Sequence, residues 1–155
     1  MYMKKVIPVV IAIATLFGIQ SASAATKTST VTLTAKATGM DVTMASNMKM
    51  GGAKTGSASA SFVVDTMKNT LCYSVKTSGL SGIVEAHIHA GAKGIDGSDV
   101  VPLLPAKFNA KVATCVKVEA KLLGDIAMNP GMYYVNLHTA KYADGAVRGQ
   151  LKVGM

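Results

Sequence analysis

Short runs of Val, Thr, Tyr and Ala, broken again and again by Gly, Pro, Asn and Asp, dominate this chain. Such runs favour extended backbone, and turn residues at this spacing are typical of antiparallel β-domains. The pattern predicts strands near residues 29–38, 57–66, 70–78, 84–90, 98–104, 111–118, 131–139 and 145–153. We therefore expect an all-β fold, a Greek-key sandwich or barrel of about eight antiparallel strands.

Two local signals refine this prediction. Residues 119–131 carry apolar side chains at helical spacing and end in Pro130-Gly131, so they predict one short helix. The dipeptide Asp144-Gly145 is typical of a two-residue hairpin and predicts that the chain reverses there, between the last two strands.

The first 24 residues combine a positively charged start, an apolar run and a small-residue end at Ala22-Ser23-Ala24. This pattern predicts a secretory signal peptide that is cleaved after Ala24. No later segment is apolar enough for a membrane span. We expect residues 25–155 to form one periplasmic or secreted domain, with an N-terminal strand and loop in 25–55 and the core in 56–155.

The net charge of +8 comes from scattered lysines and a single arginine, Arg148. Nucleic-acid binding normally requires clustered basic residues and aromatic platforms, so we expect no nucleic-acid partner. The two cysteines, Cys72 and Cys115, both lie in strand-like runs and lack the C-x-x-C spacing of a redox pair. In an exported chain they predict one structural disulfide.

The chain has only three histidines, and two of them, His87 and His89, share one face of a predicted strand. By the same alternation His138 lies on the outer face of its own strand. If the two strands are neighbours, the three imidazoles converge on a surface metal site suited to copper or, alternatively, zinc. Further ligands or hydrogen-bonding partners of that site are expected among Glu85, Asp96, Asp99, Asn136 and Arg148. The alternative is that hydrogen bonds to the backbone hold these histidines for a structural purpose.

A methionine-rich stretch precedes the second predicted strand and carries Met40, Met44, Met48 and Met50. One interpretation is that these thioethers fill gaps against the β-sheet. The other is that they bind Cu(I), which prefers soft sulfur ligands.

Two sequence blocks, AHIHAGAKGIDG (86–97) and NPGMYYVNLHTAKYADGAVRGQL (129–151), resemble the CHRD domain, named from chordin. The resemblance covers residues 56–152 and includes the run around Cys72. It implies an extracytoplasmic β-sandwich or barrel whose biochemical role is largely undefined. Where many members carry an acidic residue followed by prolines, this chain has its methionine-rich stretch.

The H-x-H strand, the glycine-rich loop and the late histidine also resemble, more distantly, the copper side of Cu/Zn superoxide dismutase. That family implies four histidine ligands, and this chain has three histidines. A full two-metal site is therefore excluded, and dismutation remains an alternative that rests on analogy. No G-x-S-x-G motif or paired carboxylates point to another enzyme class.

Together these features predict an exported protein that binds a metal ion, copper first and zinc as the alternative, through His87, His89 and His138, for metal handling in the cell envelope rather than for turnover. The alternative is a structural or interaction module that contacts an envelope protein or a cell-wall component.

Overall fold

The computed structural model describes residues 30–43, 51–109 and 111–155. The predicted signal peptide and Met44, Met48 and Met50 lie outside the described residues. Within the described ranges, no helix is long and apolar enough to cross a membrane.

Antiparallel strands build the whole domain. They are β1 (Thr30–Thr38), β2 (Ser57–Asp65), β3 (Thr70–Ser78), β4 (Ile83–Ala90), β5 (Asp99–Leu103), β6 (Thr114–Lys117), β7 (Tyr133–Thr139), β8 (Tyr142–Gln150) and β9 (Lys152–Val153). Eight of them follow the order β5-β4-β7-β8-β1-β2-β3-β6, and β9 pairs with β1. The sheet curls into a nearly closed barrel, which confirms the predicted all-β fold and the barrel rather than the sandwich.

The alternation of small apolar and polar residues explains how the barrel fills. In β2, Ala58, Ala60, Phe62 and Val64 are buried while the residues between them are exposed. Because successive side chains of a strand point to opposite faces, this pattern places one face in the barrel interior. Strand β7 is different, since all seven of its residues are buried. Something must therefore cover its outer face as well.

The cover is the loop between β4 and β5, residues 91–98, which we call the covering loop. Arg148 of β8 donates hydrogen bonds to the Ala92 and Ile95 carbonyls at 2.9 and 2.8 Å. Gln150 donates to the Gly91 carbonyl at 2.8 Å, and the Gly97 amide donates to the Tyr134 hydroxyl at 3.1 Å. These contacts hold the covering loop against the outer face of β7 and β8.

The predicted helix is confirmed as α1 (Ala120–Met128), which is followed by a single 3-10 turn at Pro130–Met132. The Glu119 carboxylate caps it by accepting hydrogen bonds from the amides of Lys121 and Leu122. Leu123 and Ile126 lie one turn apart and are fully buried in the barrel core. The helix therefore contributes to the core that supports β7.

The predicted hairpin position is wrong. Thr139 pairs with Tyr142, so the chain reverses at residues 140–141, and Asp144-Gly145 lies inside β8. Gly145 has a φ of +136°, and a Cβ there would lie 2.7 Å from Oδ1 of Asn136. The glycine is therefore required by cross-strand packing beneath Asn136 and by its backbone conformation, not by a turn.

Cys72 and Cys115 form the predicted disulfide, which joins directly opposed positions of β3 and β6 and closes 43 residues. The bond ties the end strand β6 to the rest of the barrel. Cys115 is exposed and Cys72 is half-buried, so free thiols at these positions would be accessible to reagents.

We expect no alkylation of either cysteine in the native protein unless a reductant is added. Reduction should lower the free energy of unfolding by about 2–4 kcal/mol, because the open chain gains conformational entropy when unfolded. Mass spectrometry after alkylation, with and without reductant, and urea denaturation of both forms measure the two effects. Labelling of both cysteines in the unreduced protein would contradict the prediction.

Candidate metal centre

Strands β4 and β7 are neighbours, and their register brings the three histidines together. Glu85 pairs with His138 and His87 pairs with Asn136, which makes His138 a diagonal neighbour of His87 on the same face. The ring centres of His87 and His138 are 5.4 Å apart, and those of His89 and His138 are 6.0 Å apart. One ring nitrogen from each histidine lies within 4.8 Å of the other two.

Backbone carbonyls fix the orientation of two of the rings. Nδ1 of His89 donates to the Gly97 carbonyl, and Nδ1 of His138 donates to the Ala143 carbonyl, each at 2.8 Å. Because a carbonyl only accepts, the proton must be on Nδ1, and a neutral ring then has a lone pair on Nε2. Both Nε2 atoms are buried without a hydrogen-bond partner among the described residues, and so is Nδ1 of His87.

Three unpartnered nitrogens in one cluster are unusual, because buried polar atoms in proteins nearly always have a partner. Metal-binding histidines characteristically donate their second ring nitrogen to a carbonyl or carboxylate, as His89 and His138 do here. Nitrogen ligands on copper or zinc, with bonds of about 2.0–2.1 Å, lie roughly 3–4 Å apart. The separation of at most 4.8 Å requires only small ring movements to reach this geometry.

The expected surface position of the site needs correction. The three histidines do face away from the barrel core, but His138 is only 8% exposed and His87 and His89 are half-buried. The cause is the covering loop, which lies over the outer face of the sheet and supplies the Gly97 carbonyl to His89. Arg148, expected to border a surface site, is buried by its contacts with the same loop, and Asn136 is buried beside Asp144 and Gly145 of β8.

Burial also favours the neutral form of His89. It lowers the pKa of His89 below the usual 6.5, the hydrogen bond to Gly97 opposes this, and positive charge on His138 or His87 lowers the pKa further. The neutral ring, which is the form that binds a metal, is therefore favoured at neutral pH.

The other residues predicted for the site divide into two groups. Asp96, Asp99 and Asn136 line a cavity of about 250 Å³ that also borders His89 and His138. Glu85 is exposed and does not line this cavity. Arg148 does not line it either, and its guanidinium lies over the Tyr134 ring.

Three contributors were not assigned a role from the sequence. Tyr134 stacks on His89, with ring centres 4.9 Å apart and planes at 15°. It lies four residues before His138 in β7, so alternation places it on the same outer face. The carbonyls of Gly97 and Ala143 hold the rings, but a backbone group leaves no signal in side-chain patterns. Glycine at 97 is itself informative, because a Cβ there would overlap the Ala90 carbonyl oxygen at 1.6 Å.

The model of the CHRD domain family matches residues 33–151, which include most of β1, all of β2 to β8 and all three histidines. The chain belongs to the CHRD domain family. Comparison with curated proteins and with solved structures gives no significant match. Membership of the CHRD family and the disulfide together indicate an extracellular or exported type of domain. The CHRD barrel thus presents a histidine cluster beneath a loop, in a fold whose family name does not define a chemistry.

Proposed function

We propose that this CHRD protein binds one metal ion, copper in preference to zinc, through His87, His89 and His138. The observation that carries this proposal is the convergence of three histidines, each with one buried ring nitrogen that has no hydrogen-bond partner among the described residues. Each would gain the interaction it lacks, and the metal would gain three neutral ligands on rigid strands. The role is metal handling in the cell envelope, in the exported compartment that the signal sequence predicts.

The three imidazole ligands favour copper over zinc. Imidazole nitrogen suits both Cu(II) and Zn(II), and at a site of given ligands Cu(II) binds more tightly than Zn(II). The residues would be His87 through Nδ1 and His89 and His138 through Nε2, because these are the buried ring nitrogens without a partner in the described part of the chain. The cavity beside them has room for water, and Asp96 and Asp99 on its wall are candidates for a further oxygen ligand.

One observation favours a structural module as the second candidate. His89 and His138 donate to the Gly97 and Ala143 carbonyls, and these bonds would tie the covering loop and the start of β8 to the barrel even without a metal. A structural role explains the hydrogen bond that Nδ1 forms in each of these two rings. It does not explain why both Nε2 atoms and Nδ1 of His87 are buried without a hydrogen-bond partner among the described residues. We therefore rank it second.

Calorimetric titration of the metal-free protein with Cu(II), and separately with Zn(II), distinguishes the two candidates. The proposal expects one ion per chain, with Cu(II) bound more tightly. A protein that shows no saturable binding of either ion would be a structural module, with its histidines held for the hydrogen bonds alone.

The methionine-rich stretch remains a separate proposal for Cu(I). Met40 is 60% exposed, and the other three methionines lie outside the described residues. Replacing Met40, Met44, Met48 and Met50 by leucine should lower Cu(I) affinity and leave Cu(II) affinity nearly unchanged, because only Cu(I) prefers thioethers. The matched control replaces four other methionines by leucine, namely Met67, Met128, Met132 and Met155. Competition with a Cu(I) chelator measures the effect, and equal affinity of both variants would leave the stretch a packing role only.

A further inference from the structure

A second cavity, of about 320 Å³, lies beside the covering loop and is distinct from the histidine cluster. Among the described residues, four cationic side chains from different elements line it, together with a single carboxylate, Asp41. The cations are Lys36 of β1, Lys93 of the covering loop, Arg148 of β8 and Lys152 of β9. Lys36, Lys93 and Arg148 are far apart in sequence, so only the fold brings their charges together.

Arg148 is the most constrained of these side chains. It is 2% exposed, its guanidinium carbon lies 3.5 Å from the centre of the Tyr134 ring, and Nη2 donates to the Ala92 and Ile95 carbonyls. These contacts use both hydrogens of Nη2. Nη1 is buried and has no hydrogen-bond partner among the described residues. Arg148 therefore contributes to the cavity wall. Its guanidinium is held in place, and one nitrogen has no acceptor among the described residues.

No described side chain on the cavity wall accepts a hydrogen bond from Nη1 of Arg148. Gln150, which also lines the cavity, has its amide nitrogen engaged by the carbonyls of Gly91, Gly131 and Tyr133. Burial lowers the pKa of Arg148, and the charges of Tyr134, Asp96 and Asp41 oppose this shift. Asp41 already accepts a hydrogen bond from the Thr38 hydroxyl at 2.8 Å.

We propose that this cavity binds a phosphate-type oxyanion, either free inorganic phosphate or the phosphate of a small monoester. A guanidinium nitrogen forms strong charge-assisted hydrogen bonds with such an oxygen, and an anion there would satisfy Nη1 of Arg148. The three exposed lysines around the cavity match the double charge of phosphate better than the single charge of a carboxylate. The volume exceeds that of a bare phosphate ion, which leaves room for a small ester group.

The test titrates the metal-free protein with inorganic phosphate and with glycerol phosphate at constant ionic strength, followed by NMR. The amides of Asp41, Lys93 and Gly94 should shift in a saturable way. A triple variant with lysine replaced by glutamine at positions 36, 93 and 152 should bind phosphate roughly tenfold more weakly. Each change removes a positive charge near the anion without altering a buried contact. The matched control makes the same change at Lys76, Lys107 and Lys111, which do not line the cavity, and should alter affinity less than about twofold.

Two single variants test the sign of the effect. Asp41→Asn removes the one carboxylate on the wall and keeps an acceptor for Thr38, so it should tighten binding by roughly threefold. Arg148→Lys should weaken it more than any single lysine change, because an ammonium cannot reproduce the guanidinium contacts.

Saturable binding of either probe with these effects supports the proposal. No saturable binding of either probe, or an equal loss in the control lysine variant, overturns it. The histidine variant His138→Asn should bind phosphate like the native protein, so this result and that of the copper titration are independent.

Discussion

Replacing His138 by asparagine should reduce Cu(II) affinity by at least about 100-fold, because one of three imidazole ligands is removed. The asparagine amide can still donate to the Ala143 carbonyl in place of Nδ1, but it has no counterpart of the buried Nε2. The variant therefore separates the metal ligand from the hydrogen bond. Competition with a Cu(II) chelator at pH 7.5 measures the affinity.

The alanine variant His138→Ala serves as the comparison. It should lose Cu(II) to a similar extent and should also lose about 1 kcal/mol of stability, because the Ala143 carbonyl then has no side-chain donor. Urea denaturation of the metal-free proteins measures this difference. If the asparagine variant binds Cu(II) as tightly as the native protein, His138 is no ligand and its role is structural.

Acidification should release the metal. Each imidazole must be deprotonated to bind, and free imidazole side chains ordinarily titrate near pH 6.5. Each such imidazole loses about 30-fold in its neutral fraction between pH 7.5 and pH 5, so with three ligands we expect Cu(II) affinity to fall by at least about 1000-fold. Competition titrations at several pH values measure this slope, and restoring pH 7.5 should restore binding. An affinity that is constant over this range would contradict histidine ligation.

The metal-free protein should respond to pH in the same direction. Burial lowers the pKa of His89 in the folded state below its ordinary value of 6.5, so the unfolded chain binds a proton more readily. The stability that the neutral ring contributes is therefore fully present above pH 6.5 and is lost as the pH falls through the folded-state value. Thermal unfolding at pH 7.5 and pH 5.5 measures it.

Most of the fold could be predicted from the periodicity of the strands. The runs of alternating residues predicted which side chains share a face, and this placed His87 and His89 together and His138 on the outer face of β7. Alternation does not say which strands are neighbours. The contact between β4 and β7 depends on long connections that cross the barrel, and the sequence signals for such pairings are weak because they arise from tertiary packing.

Burial of the site could not be predicted for a related reason. The sequence of the covering loop is typical of an exposed glycine-rich turn. Most of the hydrogen bonds that hold it are donated by side chains of β8 to backbone carbonyls of the loop. Every residue has a backbone carbonyl, so no residue type indicates which carbonyl will accept a hydrogen bond. The wrong hairpin position has a similar origin. Glycine is needed at 145 because a Cβ there would collide with the Asn136 side chain on the neighbouring strand, and not because the chain turns there.

The most direct test of the central proposal is pulsed EPR of the protein loaded with one equivalent of Cu(II). This measurement detects imidazole nitrogens bound to the ion, and His138→Asn provides the matched comparison. We predict three coordinated imidazoles in the native protein and two or fewer in the variant. A native spectrum without bound imidazole, or one that is unchanged in the variant, would contradict a copper site formed by His87, His89 and His138.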